Sequence, residues 1–216
     1  MRFLINADII EKRLPNKSNY NYEIYSMIMN NVSPNISKEF HKKNKSFRLI
    51  TYSNAHIKED KVHFYIAARD DIAECLIKYL SANLIVRLGD MVIKITKILP
   101  MENLKKREKY LFKTSLIVNV SKENKCVLSD EFDYIEKRLK NIAISKAQKC
   151  GIDKKCIEFE IINPTHKINK YKDGHVNSWK CFLKVVGDYE LINFLYSISG
   201  VGENTATGHG LLWEVI

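Results

Sequence analysis

The sequence predicts an α+β fold in which one order of strands and helices occurs twice. Runs of β-branched and aromatic residues alternate with segments whose apolar residues recur every three or four positions. The order β-α-β-β-α-β is read in residues 1–98 and again in residues 113–216, and the charged, apolar-poor segment 99–112 predicts a linker between them. A chain of 216 residues that is 45% hydrophobic can build two packed cores.

The first unit contains two predicted helices and four predicted strands. Apolar residues spaced for one helical face predict the first helix, around residues 20–28. The second helix is predicted to follow Asp70 and Asp71, which would cap it. The predicted strands are 1–7, 47–52, 62–68 and 91–98, the middle two being joined by a polar hairpin turn at 58–61.

The second unit repeats this order. One helix is predicted to open at 129–131 and to end at Cys150 and Gly151, and another to follow Asp188. A long polar loop is predicted at 163–178. The predicted strands are 113–120, 156–162, 179–186 and 211–215. Two β-α-β-β-α-β units predict two tandem ferredoxin-like domains, the architecture of RRM-like modules.

Composition restricts the classes of function. The formal charge is +10, and five basic residues occur between residues 38 and 48, which suits a polyanionic partner. A solvated lysine-rich surface is the alternative. No apolar segment approaches the roughly 20 residues of a membrane span, and no signal peptide is recognised. Five scattered cysteines without a C-x-x-C pair favour reduced thiols in the cytoplasm over a disulfide framework or a zinc site.

Four of the eight glycines lie within the eleven residues from Gly200 to Gly210. Glycines allow a backbone to approach phosphate or base closely, with turn N–H groups directed at an anion. The spacing is not that of a P-loop, and the order helix, loop, strand is the reverse of a dinucleotide-binding fingerprint. A tight connector without a binding role is the alternative interpretation of this segment.

The glycine loop, lying before the last strand of a second ferredoxin-like unit, resembles that of the repeat-associated RNA-binding proteins of CRISPR systems. In the first unit, Phe40-His41, a basic loop and the strand Phe47 to Ser53 resemble the Cas6 family of endoribonucleases. The resemblance implies a cytoplasmic enzyme that binds CRISPR repeat RNA, as precursor and as mature CRISPR RNA. The resemblance is compatible with binding to other CRISPR effector subunits and with a homodimer. It implies no membrane partner.

The resemblance also implies a metal-independent cleavage without a cofactor. The ribose 2′-OH attacks the adjacent phosphate and leaves a 2′,3′-cyclic phosphate and a 5′-OH. This reaction needs a group that moves protons near neutral pH and a cation that stabilises the phosphate charge. The residues implied for these catalytic roles are His41, Tyr25 and Lys45, although a neighbouring lysine could replace Lys45 and Tyr25 could belong to the core.

The predicted RNA-binding residues come from the basic segment and from the glycine loop. They are Lys38, Lys42, Lys43, Arg48, Gly200, Gly202, Asn204, Thr205, Gly208, His209 and Gly210. A non-catalytic repeat-RNA-binding subunit of a CRISPR effector complex is the alternative function, since it would share the fold and the glycine loop without needing His41. A generic basic RNA-binding protein would need neither feature.

Overall fold

The N-terminal half forms one antiparallel sheet covered by two helices. The computed structural model describes residues 1–13, 20–35, 38, 49–122, 125–171, 174–203, 205 and 208–215. The elements of this half are β1 (Arg2–Lys12), α1 (Asn21–Asn31), β2 (Ile50–Tyr52), β3 (His56–Lys58), β4 (Lys61–Ala68), α2 (Asp70–Ala82), β5 (Ile85–Leu88) and β6 (Met91–Pro100). The sheet order is β2-β4-β1-β6-β5, with β3 also paired to β4.

The C-terminal half repeats this arrangement. Its elements are β7 (Lys109–Leu116), β8 (Asn119–Lys122), β9 (Lys125–Leu128), α3 (Phe132–Gln148), β10 (Ile157–Tyr171), β11 (Gly174–Gly187), α4 (Tyr189–Phe194), a π-helical turn (Leu195–Ser199) and β12 (Trp213–Glu214). The sheet order is β10-β11-β7-β12, and β8 and β9 form a separate hairpin. In the N-terminal half β1 lies between β4 and β6, and in the C-terminal half β7 lies between β11 and β12. This shared strand order confirms the two predicted ferredoxin-like domains.

Alternation along the strands separates a packed face from an open face in the first sheet. Val62, Phe64 and Ile66 of β4 are buried in the N-terminal core, which α1 and α2 cover through residues such as Ile24 and Leu76. Each fully buried side chain of this kind contributes about 1.5–3 kcal/mol. The intervening residues of β4, including His63 and Tyr65, point to the opposite face, and that face is turned toward the C-terminal domain.

The prediction of a long polar loop at 163–178 is wrong. This segment continues β10 and β11 as a hairpin whose register runs from Thr165↔Lys180 to Tyr171↔Gly174. A register shift near Asn163, whose φ is +50°, marks a β-bulge where the hairpin leaves the core. Backbone pairing decides the conformation here, since a strand that projects into solvent carries polar side chains on both faces.

Smaller differences concern element ends. Helix α2 has Arg69 as its N-cap, so Asp70 and Asp71 lie in its first turn, where negative charge favours the helix dipole. The single strand predicted at 113–120 is divided between β7 and β8, and β5 was not predicted. The connection between the sheets is 101–108, shorter than the predicted linker 99–112. Within the described ranges, no helix has the length and apolarity needed to cross a bilayer.

Candidate functional site

A cleft of about 560 Å³ lies between the two domains. Its N-terminal wall is formed by the first residue of α1 and by the segment from β2 to β3. Its C-terminal wall is formed by the open face of the second sheet and by the end of the glycine loop. The lining residues are Asn21, Tyr52, Ser53, Asn54, His56, Lys113, Thr114, Ser115, Lys167, Lys180, Gly208, His209, Gly210, Leu211 and Trp213.

Three lysines make the cleft electropositive. Lys113 of β7, Lys180 of β11 and Lys167 of β10 lie on the same open face, as the strand registers require. None of the three forms an ion pair with any residue that the structure describes, and no carboxylate lines the cleft. A cleft with one sign of charge raises the local concentration of oppositely charged ligands. The site is therefore suited to a polyanion.

Arg2 joins the two domains beside the cleft. Its guanidinium is buried and donates hydrogen bonds to the carbonyl oxygens of Leu212, at 2.6 Å, and Tyr196, at 3.2 Å. The same group lies 4.1 Å from the centroid of the Tyr196 ring and 5.5 Å from that of Trp213. Burial lowers the pKa of Arg2, while Tyr196 and Tyr65 oppose this effect. These contacts fix the position of the C-terminal wall relative to β1.

The glycine loop is held by a buried lysine of α3. The Lys146 ammonium donates to the carbonyl oxygens of Ser199, Gly200 and Gly202 at 3.3, 3.3 and 3.1 Å. Only 1% of Lys146 is exposed, and this burial lowers its pKa to about 7, an effect that the charge of Glu203 opposes. The first half of the loop is therefore fixed from inside the C-terminal domain.

The second half of the glycine loop faces the cleft and the N-terminal domain. The His209 carbonyl accepts a hydrogen bond from Thr51 Oγ1 at 2.9 Å, and its ring Nδ1 lies 3.2 Å from Ser115 Oγ. Burial lowers the pKa of His209 to about 4. Gly210 has φ +78°, and a Cβ there would overlap the carbonyl oxygen of Val201. This glycine is needed for the packing of the loop on itself.

The loop residues predicted to bind RNA thus fall into two groups. Gly208, His209 and Gly210 line the cleft, and their contact with RNA stays a prediction. Gly200, Gly202 and Thr205 are buried and do not line it. This buried part of the loop is held by Lys146 and by the backbone hydrogen bond from Glu203 to Ile117, which follows β7. Asn204 lies outside the described residues.

The other predicted site residues are only partly described. Tyr25 is half-buried on α1 and packs against the N-terminal core, one helical turn after Asn21. Lys38 is exposed. His41, Lys42, Lys43, Lys45 and Arg48 lie outside the described residues. Among the side chains that the structure does describe, no group of three or more His, Cys, Asp or Glu is placed to hold a metal ion.

Several residues of the cleft were missed by the sequence reasoning. Lys113, Lys167 and Lys180 are isolated in sequence, and only the pairing of β7, β10 and β11 brings them together. His56 and Trp213 also line the cleft, and neither was singled out from the sequence. Strand alternation was the available signal, but it could be applied to Lys167 only once the 163–178 segment was known to be a strand.

Comparison with known proteins places this geometry in a family. The family described as CRISPR associated protein Cas6, C-terminal, matches residues 49–213. A comparison with curated proteins gives no match.

Among solved structures, a Cas6-related protein of Pyrococcus furiosus is 20% identical, with coverage of 100% of this chain and 98% of that chain and a TM-score of 0.82. A RAMP protein described as binding different RNA substrates is 19% identical, with full coverage of both chains and a TM-score of 0.81. A Thermus thermophilus Cas6 in a product complex is 14% identical, again with full coverage of both chains, and has a TM-score of 0.72.

The solved structures share the tandem ferredoxin-like fold along the whole chain, and the family match covers most of it, from β2 to β12. On these grounds the chain belongs to the Cas6 family of CRISPR-associated proteins.

Proposed function

We propose that this chain is a metal-independent endoribonuclease that cleaves CRISPR repeat RNA in the precursor transcript and releases mature CRISPR RNAs. The observation that carries the proposal is the lysine-lined cleft between the two domains of a Cas6-family chain. The described residues that line the cleft include Lys113, Lys167 and Lys180 and no carboxylate, so the cleft can neutralise the phosphates of an RNA backbone.

The proposed reaction is an intramolecular transfer of the phosphate. The 2′-OH loses its proton to a base, its oxygen bonds to phosphorus, and the bond from phosphorus to the 5′-oxygen breaks as that oxygen gains a proton. His41 is proposed to move these protons, because an imidazole titrates near ~6.5. Lys45 is proposed to stabilise the charge of the pentacoordinate phosphate, and Tyr25 to orient the 2′-OH.

The position of α1 relates this chemistry to the cleft. Asn21, the first residue of α1, lines the cleft. Tyr25 follows one turn later on the same side of the helix, about 6 Å along its axis. RNA that lies across the lysines would therefore pass the start of α1, so binding and cleavage are proposed to occur at adjoining regions of one surface.

Cleavage of the host's repeat RNA in EDTA tests the proposed reaction. We expect a 2′,3′-cyclic phosphate and a 5′-OH, and no cleavage when the ribose at the mapped cut site is 2′-deoxy. His41→Ala should slow cleavage by about 10²-fold or more, the usual effect of losing a general acid or base. His175→Ala, which changes an exposed histidine of β11, is the matched control and should cleave at the wild-type rate.

The binding half of the proposal is tested by the salt dependence of affinity. Each lysine that neutralises a phosphate of single-stranded RNA contributes about −0.7 to the slope of log K against log salt. Lys180→Gln should reduce the slope by about this amount, whereas Lys137→Gln, on the exposed side of α3, should not. RNA binding without cleavage by the wild type would favour the non-catalytic subunit, and magnesium-dependent cleavage would overturn metal independence.

A further inference from the structure

Two histidines of the β3–β4 hairpin are stacked at the edge of the cleft. His56 and His63 are directly opposed in the strand register, with ring centroids 5.2 Å apart and an interplanar angle of 16°. The Trp213 ring of the C-terminal domain lies perpendicular to the His56 ring, at 89°, with the two centroids 6.3 Å apart. His56 is exposed and lines the cleft, so this pair is held by both domains while one ring stays accessible.

The charges around the pair are mainly positive. On the same face of the sheet, Lys58 and Lys61 form the next opposed pair, and Asp8 of β1 lies opposite Lys61. The guanidinium of Arg2 in β1 lies 5.5 Å from the centroid of the Trp213 ring. Across the cleft, the titratable lining residues are Lys113 of β7, Lys167 of β10, Lys180 of β11 and His209 of the glycine loop.

This arrangement opposes the second protonation of the pair in the free protein. Burial, followed by the charge of His63, lowers the pKa of His56. Among the described residues that line the cleft, no carboxylate balances two imidazolium ions. A phosphodiester beside the rings would supply that negative charge, and a nearby opposite charge raises the pKa of a base by about one unit or more.

We propose that the stacked His56–His63 pair is a phosphate-binding subsite of the cleft, at which RNA binding is coupled to the uptake of one proton. The inference rests on the proposed function and adds to it a regulation by pH. With both rings protonated, the pair presents additional N–H donors to one phosphodiester, next to the permanently charged lysines. RNA is therefore held more tightly as the pH falls, without any change in the lysine contacts.

The test is the affinity for repeat RNA that carries a 2′-deoxyribose at the cut site, measured at fixed ionic strength from pH 5.5 to 8.0. A one-unit rise in pKa on binding corresponds to a tenfold change in affinity between the two protonation limits. We therefore expect Kd to be about tenfold lower at pH 5.5 than at pH 8.0. His56→Gln, His63→Gln and the double variant should each lose most of this change.

His175→Gln is the matched control, because it removes an exposed histidine outside the cleft and should leave the pH dependence intact. Melting temperatures should show that the glutamine variants are folded. The inference is overturned if wild type and His56→Gln show the same pH dependence of Kd. It is also overturned if the losses of pH dependence in the two single variants add up to the loss in the double variant, because the two histidines would then act independently. Absence of RNA binding by the wild type at every pH would overturn the proposed function as well.

Discussion

Replacing Lys146 with methionine should change how the stability of the protein depends on pH. Burial lowers the pKa of Lys146 to about 7 in the folded chain, against 10.5 for an unperturbed lysine. Between these two values the unfolded chain binds a proton that the folded chain does not, so the free energy of unfolding rises with pH. Integration over pH 6.5 to 8.5 gives a rise of about 2 kcal/mol for the wild type.

The Lys146→Met variant keeps the aliphatic part of the side chain and the helix propensity but has no titrating group. At pH 8.5 the variant removes the hydrogen bonds that Lys146 Nζ donates to the carbonyls of Ser199 and Gly202. Each lost hydrogen bond should lower the free energy of unfolding by about 1–3 kcal/mol. The Gly200 carbonyl retains a hydrogen bond from Ser199 Oγ. At pH 6.5 the loss should be smaller by about 2 kcal/mol, because the variant is relieved of a buried cation.

Urea unfolding at a series of pH values from 6.5 to 8.5 measures both quantities. Lys137→Met, which changes an exposed lysine of the same helix, is the control and should keep the wild-type pH dependence. The reasoning would be refuted if wild type and Lys146→Met showed the same pH dependence. It would also be refuted if the variant and the wild type were equally stable at pH 8.5, since the carbonyls of Ser199 and Gly202 would then not depend on Lys146.

Three further predictions concern the buried groups around the cleft. Burial lowers the pKa of His209 to about 4, so only the unfolded histidine gains a proton between pH 7 and pH 5, and the free energy of unfolding of the wild type should fall by about 2 kcal/mol over this range. The free energy of unfolding of His209→Gln should fall much less, and an equal fall of both proteins in urea titrations would contradict this prediction. Gly210→Ala should lower the melting temperature far more than Gly151→Ala. Both glycines have positive φ, but only a Cβ at Gly210 would clash with the loop backbone. Equal shifts in melting temperature would show that this clash does not matter. Arg2→Lys should destabilise the chain by about 2 kcal/mol in urea unfolding, since an ammonium cannot reproduce the contacts of the guanidinium. Arg13→Lys, at an exposed position, is the control and should have little effect. Equal changes in the two variants would show that the domain junction does not depend on the guanidinium.

The sequence by itself determined the elements that local periodicity encodes. Helix α2 and strand β4 were predicted closely, because apolar residues spaced for one face must be buried together whatever they pack against. The repeated order of these elements then led to two ferredoxin-like domains. The local motifs around His41 and in the glycine loop carried the family resemblance, since they are contiguous in the chain.

Tertiary structure alone decided the cleft and the way in which the glycine loop is held. Lys113 and Lys180 are 67 positions apart, and their proximity depends on the pairing of β7 with β11, which no local pattern specifies. Lys146 looks like any surface lysine of an amphipathic helix, and only its burial shows that it holds the carbonyls of the loop. His56 contacts Trp213 only when the two domains meet. In each case the property arises from contacts between segments that are distant in the sequence. The geometry of such contacts is set by tertiary packing and cannot be inferred from the local sequence around each residue.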